Sequence, residues 1–343
     1  MNSVERVGAA IELRPPDRVP VDLHNFQPAA FATGQPVSEV LQDGELLAEA
    51  MLTAWREFRH DMILLENGTA CSAQACGVEV IYRDDAAPAA VTPIVTSLEQ
   101  VVDLEVPDPL EAFPMCEMIK ATRILVRETA GRAWICGRAD QGPFDLAAQL
   151  RGIDHFMLDI ALGEQEDLVH ALIDYARRVA TRYAFALVEA GAHSTSIGES
   201  LAGPAMISPA HYRRYAFEPE RRMVEDLRAA GIVLHNHICG NTGAIVEDFV
   251  ATGAQVLEVD HKTDPRVIKE AAQGKTCLLG NIDTGLLVFG TPDEVDDACR
   301  ELVELWKPGS GFILGPGCSL GPETPAENVH ALVEAAERYG AYA

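Results

Sequence analysis

Short apolar, β-branched runs recur along the chain, and each ends in polar residues. Eight stand out: RVPVDLHN (18–25), DMILLEN (61–67), AWICGRAD (133–140), HSTSIGES (193–200), IVLHNHIC (232–239), QVLEVDH (255–261), TCLLGNID (276–283) and GFILGPGC (311–318). Such runs suit strands of a parallel sheet, which are covered on both faces and need no strict alternation. Helical patterns lie between them. Thr291 to Glu294 and Thr324 to Glu327 each place Thr at a cap, Pro in the first turn and Glu three residues on. Ser208–Pro209 opens another helix, which closes at Gly231. Strand and helix alternating to a count of eight predicts an α/β protein, a single (β/α)8 TIM barrel over 1–343, in preference to a doubly wound open sheet. The stretch GVEVIYRDDAAPAAVTPIV (77–95) exceeds what one crossover needs and predicts a hairpin inserted between the second and third strands, over the barrel mouth.

Barrel chemistry sits at the C-terminal ends of the strands, so the polar ends of these runs are the places to look. In an extended segment residues two apart face the same way, which puts His237 and Cys239 on one face. Cys318 ends the eighth run in the rigid setting GPGCSLGP. Two thiolates and one imidazole suit zinc, and three protein ligands with an open fourth position describe a catalytic site. The alternative is that His237 is a hydrogen-bonded barrel residue and the cysteines are small packing groups. Glu199, ending the fourth run, is a candidate for the fourth metal position or for holding a neighbouring ligand. His235 faces inward below His237 and suits a supporting role. Asp22 and His24, Arg138 with Asp140 and Gln141, Asp260 with His261, and Asn281 with Asp283 are polar ends too. Buried charges are costly unless paired or functional, so these predict a polar pocket floor that binds substrate.

Composition narrows the function. The chain has 343 residues, 48% hydrophobic and 23% charged, with a formal charge of −25. Such acidity disfavours nucleic acid and anionic membrane as partners. No apolar run approaches the roughly 18 residues that span a bilayer, and MNSVERVGAAIELRPPDRVP lacks a signal-peptide core, so a cytoplasmic protein is expected. Eight scattered cysteines then stay reduced. No glycine-rich phosphate loop follows a strand, which argues against a nucleotide cofactor. In DLHNFQ, Gln27 stands where a cobalamin-carrying Asp-x-His-x-x-Gly loop has Gly.

The segments RPPDRVPVDL, GPFDLAAQLRG, ISPAHYRRYAFEP, HICGNT, GNID and FILGPGCSLGPETPAENV together resemble the uroporphyrinogen decarboxylase superfamily over nearly the whole chain. The decarboxylases of that superfamily use no metal and carry an early Arg-Gln-Ala-Gly-Arg motif that helps hold the porphyrinogen carboxylates; nothing like it follows DRVPVDLHNF here. The zinc-dependent methylcobamide:thiol methyltransferase branch (the coenzyme M type) has a His-x-Cys and a distant Cys in a Gly-rich turn, matched by His237, Cys239 and Cys318. That resemblance implies a zinc-activated thiol and a methylated corrinoid supplied by a separate protein or as free cofactor. It leaves open the acceptor (coenzyme M, tetrahydrofolate or another), the direction of transfer and a place in O-demethylation. Two other readings stand beside it: a metal-free decarboxylase or lyase using Asp140 and Asp283, and a non-catalytic ligand-binding barrel.

Overall fold

The computed structural model of the protein describes residues 1–84 and 86–342. Seven parallel strands, β1 (Met62–Leu65), β4 (Trp134–Gln141), β5 (Ser194–Gly198), β6 (Leu234–Ile238), β7 (Val256–Val259), β8 (Cys277–Ile282) and β9 (Phe312–Pro316), pair in that order. The first predicted run fills the remaining gap without becoming a regular strand. Val21 bridges Leu314 of β9 and Asp22 bridges Met62 of β1, both in the parallel sense. Pro20 explains the brevity: it accepts from Leu314 N (2.9 Å) but has no N–H to give to a ladder. The curled sheet is thereby closed, and the (β/α)8 fold read from the sequence stands with its first strand reduced to bridges. Between β1 and β4, β2 (Glu79–Ile81) and β3 (Ala89–Thr92) form a separate antiparallel pair.

The strands are apolar on both sides because each side meets a different partner. Ile63, Leu65, Ile135, Leu257, Leu278 and Phe312 join the large core under the surrounding helices. Met62, Leu64, Trp134, Cys136, Val256, Cys277, Leu279 and Ile313, their alternates, point into the barrel and meet Val7, Ala10 and Ile11 of the helix Ser3–Ile11, which plugs the N-terminal end. Fully burying one such Leu, Ile or Met side chain is worth ~1.5–3 kcal/mol. Asp61 ties plug, first run and β1 together, accepting from Ser3 Oγ (2.8 Å), Arg6 Nη1 (2.6 Å), Arg18 Nη1 (2.7 Å) and Val21 N (3.0 Å).

Helix starts divide. Thr291 makes the expected capping box with Glu294. Thr324 does not cap: its hydroxyl donates to Gly321 O (2.8 Å) within a turn, so the helix begins later, at Ala326. Ser208 accepts from His211 N as expected. The helix it opens passes through a π-turn at Tyr212–Ala216 before continuing as Phe217–Ala229, just ahead of Pro219, which cannot donate back to the preceding turn. Among the described residues no helix is long and apolar enough to cross a membrane.

Candidate metal centre

β6 delivers alternate residues inward at increasing height. His235 is lowest, His237 is next, and Cys239 follows just past the strand end. The turn after β9 carries Cys318 to the same place. His237 Nε2 lies 3.1 Å from Cys239 Sγ, the two sulfurs are 3.9 Å apart, and Cys318 Sγ is 3.8 Å from His237 Nε2. Tetrahedral zinc, with bonds of ~2.3 Å to sulfur and ~2.0–2.1 Å to nitrogen, separates such donors by roughly 3.6–3.8 Å. The donor set therefore fits zinc in chemistry, and two of its three spacings match, while His237 and Cys239 stand closer, at hydrogen-bond distance. Within the described residues it is the single group of three His, Cys, Asp or Glu side chains found converging as metal ligands do.

The surroundings fix each donor. His237 Nδ1 donates to Glu258 O (3.0 Å), which directs Nε2 toward the sulfurs. Ser200 Oγ donates to Cys239 Sγ (3.1 Å). The hydrogen bond from Cys318 lowers the Cys239 pKa against the opposing effect of burial, while the same contact and burial push Cys318 up to about 12. Burial disfavours a charged His237, but its contacts with Cys318 outweigh that and push its pKa up to about 9. To hold a dication, His237, Cys239 and Cys318 would give up the protons that they share.

Directly below lies a buried charge network. Arg138 Nε is 3.1 Å from Glu66 Oε2 and its Nη1 is 3.5 Å from Glu258 Oε2 and 3.2 Å from Ser196 Oγ. His24 Nε2 contacts Glu66 Oε2 at 2.6 Å, and His235 Nδ1 approaches Glu258 Oε1 at 3.6 Å. Burial opposes the Glu258 charge, yet His235 and Arg138 hold its pKa down at about 2. Asp22, buried with neither carboxylate oxygen partnered, is pushed up to about 7 by desolvation. Glu66 and Glu258 were absent from the sequence-derived site. Each is an acid two residues on from an inward apolar side chain of its run, Leu64 for Glu66 and Val256 for Glu258, and that parity is the signal that exposes them.

The expected fourth ligand, Glu199, is not in the cluster. Its carboxylate accepts from Phe144 N (3.0 Å) and Asp145 N (2.9 Å), capping the helix Pro143–Arg151 in the space that Gly142 leaves open. Nor do the expected substrate residues form one floor. Arg138 is held in the network described, and Asp140 turns away at a left-handed φ of 64° to accept from Ser72 N (2.6 Å). Gln141 is buried beside Gly198. His261, Asn281 and Asp283 line an open cleft of about 830 Å³ that includes none of those three. Asp260 is committed to backbone donors, Gly240 N (2.7 Å) and Lys262 N (2.8 Å). A more apolar groove of about 600 Å³, between the helices Gly44–Phe58 and Ala326–Tyr339, contains none of the three metal-type donors.

Known proteins give the arrangement a context. The uroporphyrinogen decarboxylase (URO-D) family model matches residues 2–339. The methylcobamide:CoM methyltransferase MtaA of Methanosarcina barkeri is 28% identical over 97% of this chain and 97% of its own. MtbA of Methanosarcina acetivorans is 30% identical over 58% of this chain, which spans 56% of that relative's length. The uroporphyrinogen decarboxylase of Thermus thermophilus is 31% identical over 86% of this chain and 85% of its own. A solved methyltransferase from Methanosarcina mazei superposes with a TM-score of 0.90 at 26% identity, over 99% of both chains.

Proposed function

The chain belongs to the uroporphyrinogen decarboxylase family, and within it we propose that this protein is a zinc-dependent methyltransferase working between a methylcobamide and a thiol. One observation carries the proposal: His237, Cys239 and Cys318 converge with the spacing of a three-ligand metal site. Similarity to methylcobamide:CoM methyltransferases supports methyl transfer as the reaction class. Zinc held by His237, Cys239 and Cys318 would supply Lewis acidity that lowers the pKa of a substrate thiol. Glu258 fixes the His237 tautomer through its carbonyl, and Ser200 orients the Cys239 sulfur. We assign the orientation of the thiol's polar end to His261 and Asp283, whose side chains approach to 3.5 Å on a cleft that itself includes none of the three metal-type donors. The corrinoid arrives on a separate protein or free, and O-demethylation is the kind of sequence such a step completes. Cytoplasmic localisation accords with reduced thiols at the site.

Similarity to uroporphyrinogen decarboxylases supports the metal-free decarboxylase reading by sequence, but the geometry does not favour it. Asp140 is bonded to the loop after β1, while Asp283 caps the helix Thr284–Phe289, so the two carboxylates serve different elements. Incubating the zinc-loaded protein with methylcobalamin and a panel of thiols, coenzyme M among them, tests the proposal. Thiol-dependent demethylation of the corrinoid, followed by its visible absorbance and by mass of the thioether, is the expected result. Absence of thioether with every thiol, together with release of CO2 from a carboxylated tetrapyrrole, would transfer the protein to the decarboxylase reading.

A further inference from the structure

Asn281, Asp260 and Thr263 form a chain of hydrogen bonds that ends on the turn carrying Cys239. Asn281 Nδ2, at the end of β8, donates to the carbonyls of Asp260 (3.4 Å) and Thr263 (3.2 Å). Those bonds hold the loop after β7, which is closed on itself by Thr263 N donating to Asp260 O (3.0 Å). From this loop two side chains reach the next turn. Asp260 Oδ2 accepts from Gly240 N (2.7 Å), and Thr263 Oγ1 donates to Gly240 O (3.1 Å) while accepting from Thr242 N (2.9 Å). The Thr242 hydroxyl lies 3.0 Å from the same Thr263 oxygen. Gly240, the residue after Cys239, has both its backbone polar groups taken by side chains and sits at a left-handed φ of 86°.

We infer that Asp260, Thr263 and Asn281 are positioning residues that hold the Cys239–Thr242 turn in the shape that lets Cys239 and Cys318 share one metal ion. The inference rests on reading His237, Cys239 and Cys318 as a metal centre. It replaces substrate binding as the role of Asp260 and Asn281. The turn lies beyond the end of β6, where no ladder fixes its backbone, so its order depends on these side-chain bonds. Thr263 is fully buried, as is Thr242 to within 1%, so neither hydroxyl is spent on solvent. The charge of Asp260 works against the Cys239 thiolate, which leaves geometry as what this carboxylate contributes to the thiolate. Holding a ligand's backbone in advance removes an ordering cost from binding, and removing such support costs ~10–100-fold in metal affinity.

Thr263→Val tests this with little change of shape or charge, because it deletes one hydroxyl that serves three bonds. Zinc affinity is measured by chelator competition for wild type, Thr263→Val, Thr263→Ser and Asn281→Ala, alongside the melting temperature of each metal-free protein. Cobalt(II) substitution adds the absorption bands that report thiolate ligation and tetrahedral symmetry. The expected result is an affinity loss of ~10–100-fold for Thr263→Val with weakened cobalt bands, a smaller loss for Asn281→Ala, and near wild-type values for Thr263→Ser. Thr291→Ala, which removes a distant helix cap, is the control that lowers melting temperature without moving affinity. If wild type binds zinc but Thr263→Val and Asn281→Ala bind it equally well, the inference is overturned while the metal centre stands. A wild type that binds neither metal overturns the reading beneath it. Should Thr263→Val fail to fold, Asn281→Ala decides alone by the same comparison.

Discussion

Along β1, β4, β7 and β8 the inward side chains change character within two residues. Met62 and Leu64 give way to Glu66, Trp134 and Cys136 to Arg138, Val256 to Glu258, and Cys277 and Leu279 to Asn281. The lower interior is sealed by an amphipathic helix and needs only shape and apolarity. The upper interior is equally buried yet holds charges, each matched by a partner or left to neutralise itself as Asp22 does. Both halves use the same strands and the same alternation, so the difference lies in what closes each end. A desolvated charge layer is too costly to maintain for stability alone. It lies beneath His237, Cys239 and Cys318, and the same residue that carries its Glu258 carboxylate holds the His237 ring through its backbone carbonyl.

Breaking the upper layer is expected to have the larger effect on stability. Arg138→Met removes the guanidinium shared by Glu66 and Glu258 and leaves them only His24 and His235 as partners, and removing one partner of a buried pair costs ~3–5 kcal/mol. Denaturant unfolding of wild type and variant checks this; an unchanged midpoint would mean that the network is not what the upper interior relies on. In the lower layer Leu279→Ala costs ~2–5 kcal/mol through lost packing and the cavity left behind. It should leave zinc affinity unaltered when measured well below the unfolding transition, whereas coupled loss of metal would erase the division between the halves.

Two smaller effects sharpen the division. Asp22 has a folded pKa of about 7, above the roughly 4 of an unfolded aspartate. Its contribution is full below pH ~4 and is lost as pH rises through about 7. Asp22→Asn should flatten the fall of melting temperature across that window, and an unchanged slope would show that another group titrates there. Glu199→Gln should change zinc affinity least, because that carboxylate caps a helix and its pKa is raised well above normal by burial and by Asp145. Loss of zinc from Glu199→Gln, with folding intact, would return Glu199 to the coordination sphere.

Most of the barrel was legible because eight polar-ended apolar runs are a strong periodic signal, and only Pro20 spoiled the first as a regular strand. Thr324 misled because it closes a turn, its N–H and its hydroxyl both donating to Gly321 O, and the helix starts past it at Ala326. The metal-type donors were legible because alternation and a rigid Gly–Pro turn constrain His237, Cys239 and Cys318 from a single sequence. Roles that depend on which way a polar end turns were not. Asp140 leaves the pocket through one left-handed residue, Asp260 bends to a neighbouring turn, and Glu199 finds a helix terminus. Such choices are settled by hydrogen-bond donors far away in sequence, which a pattern of residue types does not contain.

Metal content bears most directly on the role of His237, Cys239 and Cys318. Zinc per chain is to be measured by elemental analysis in wild type and in the Cys239→Ser, Cys318→Ser double variant, both purified with zinc present and then desalted, with circular dichroism to confirm folding. The predicted result is one equivalent in wild type, none in the folded double variant, and thiol methylation in wild type alone. A wild type that retains no zinc and gains no activity when it is added, or a double variant that keeps both metal and turnover, would contradict the assignment of His237, Cys239 and Cys318 as the centre of this protein's chemistry.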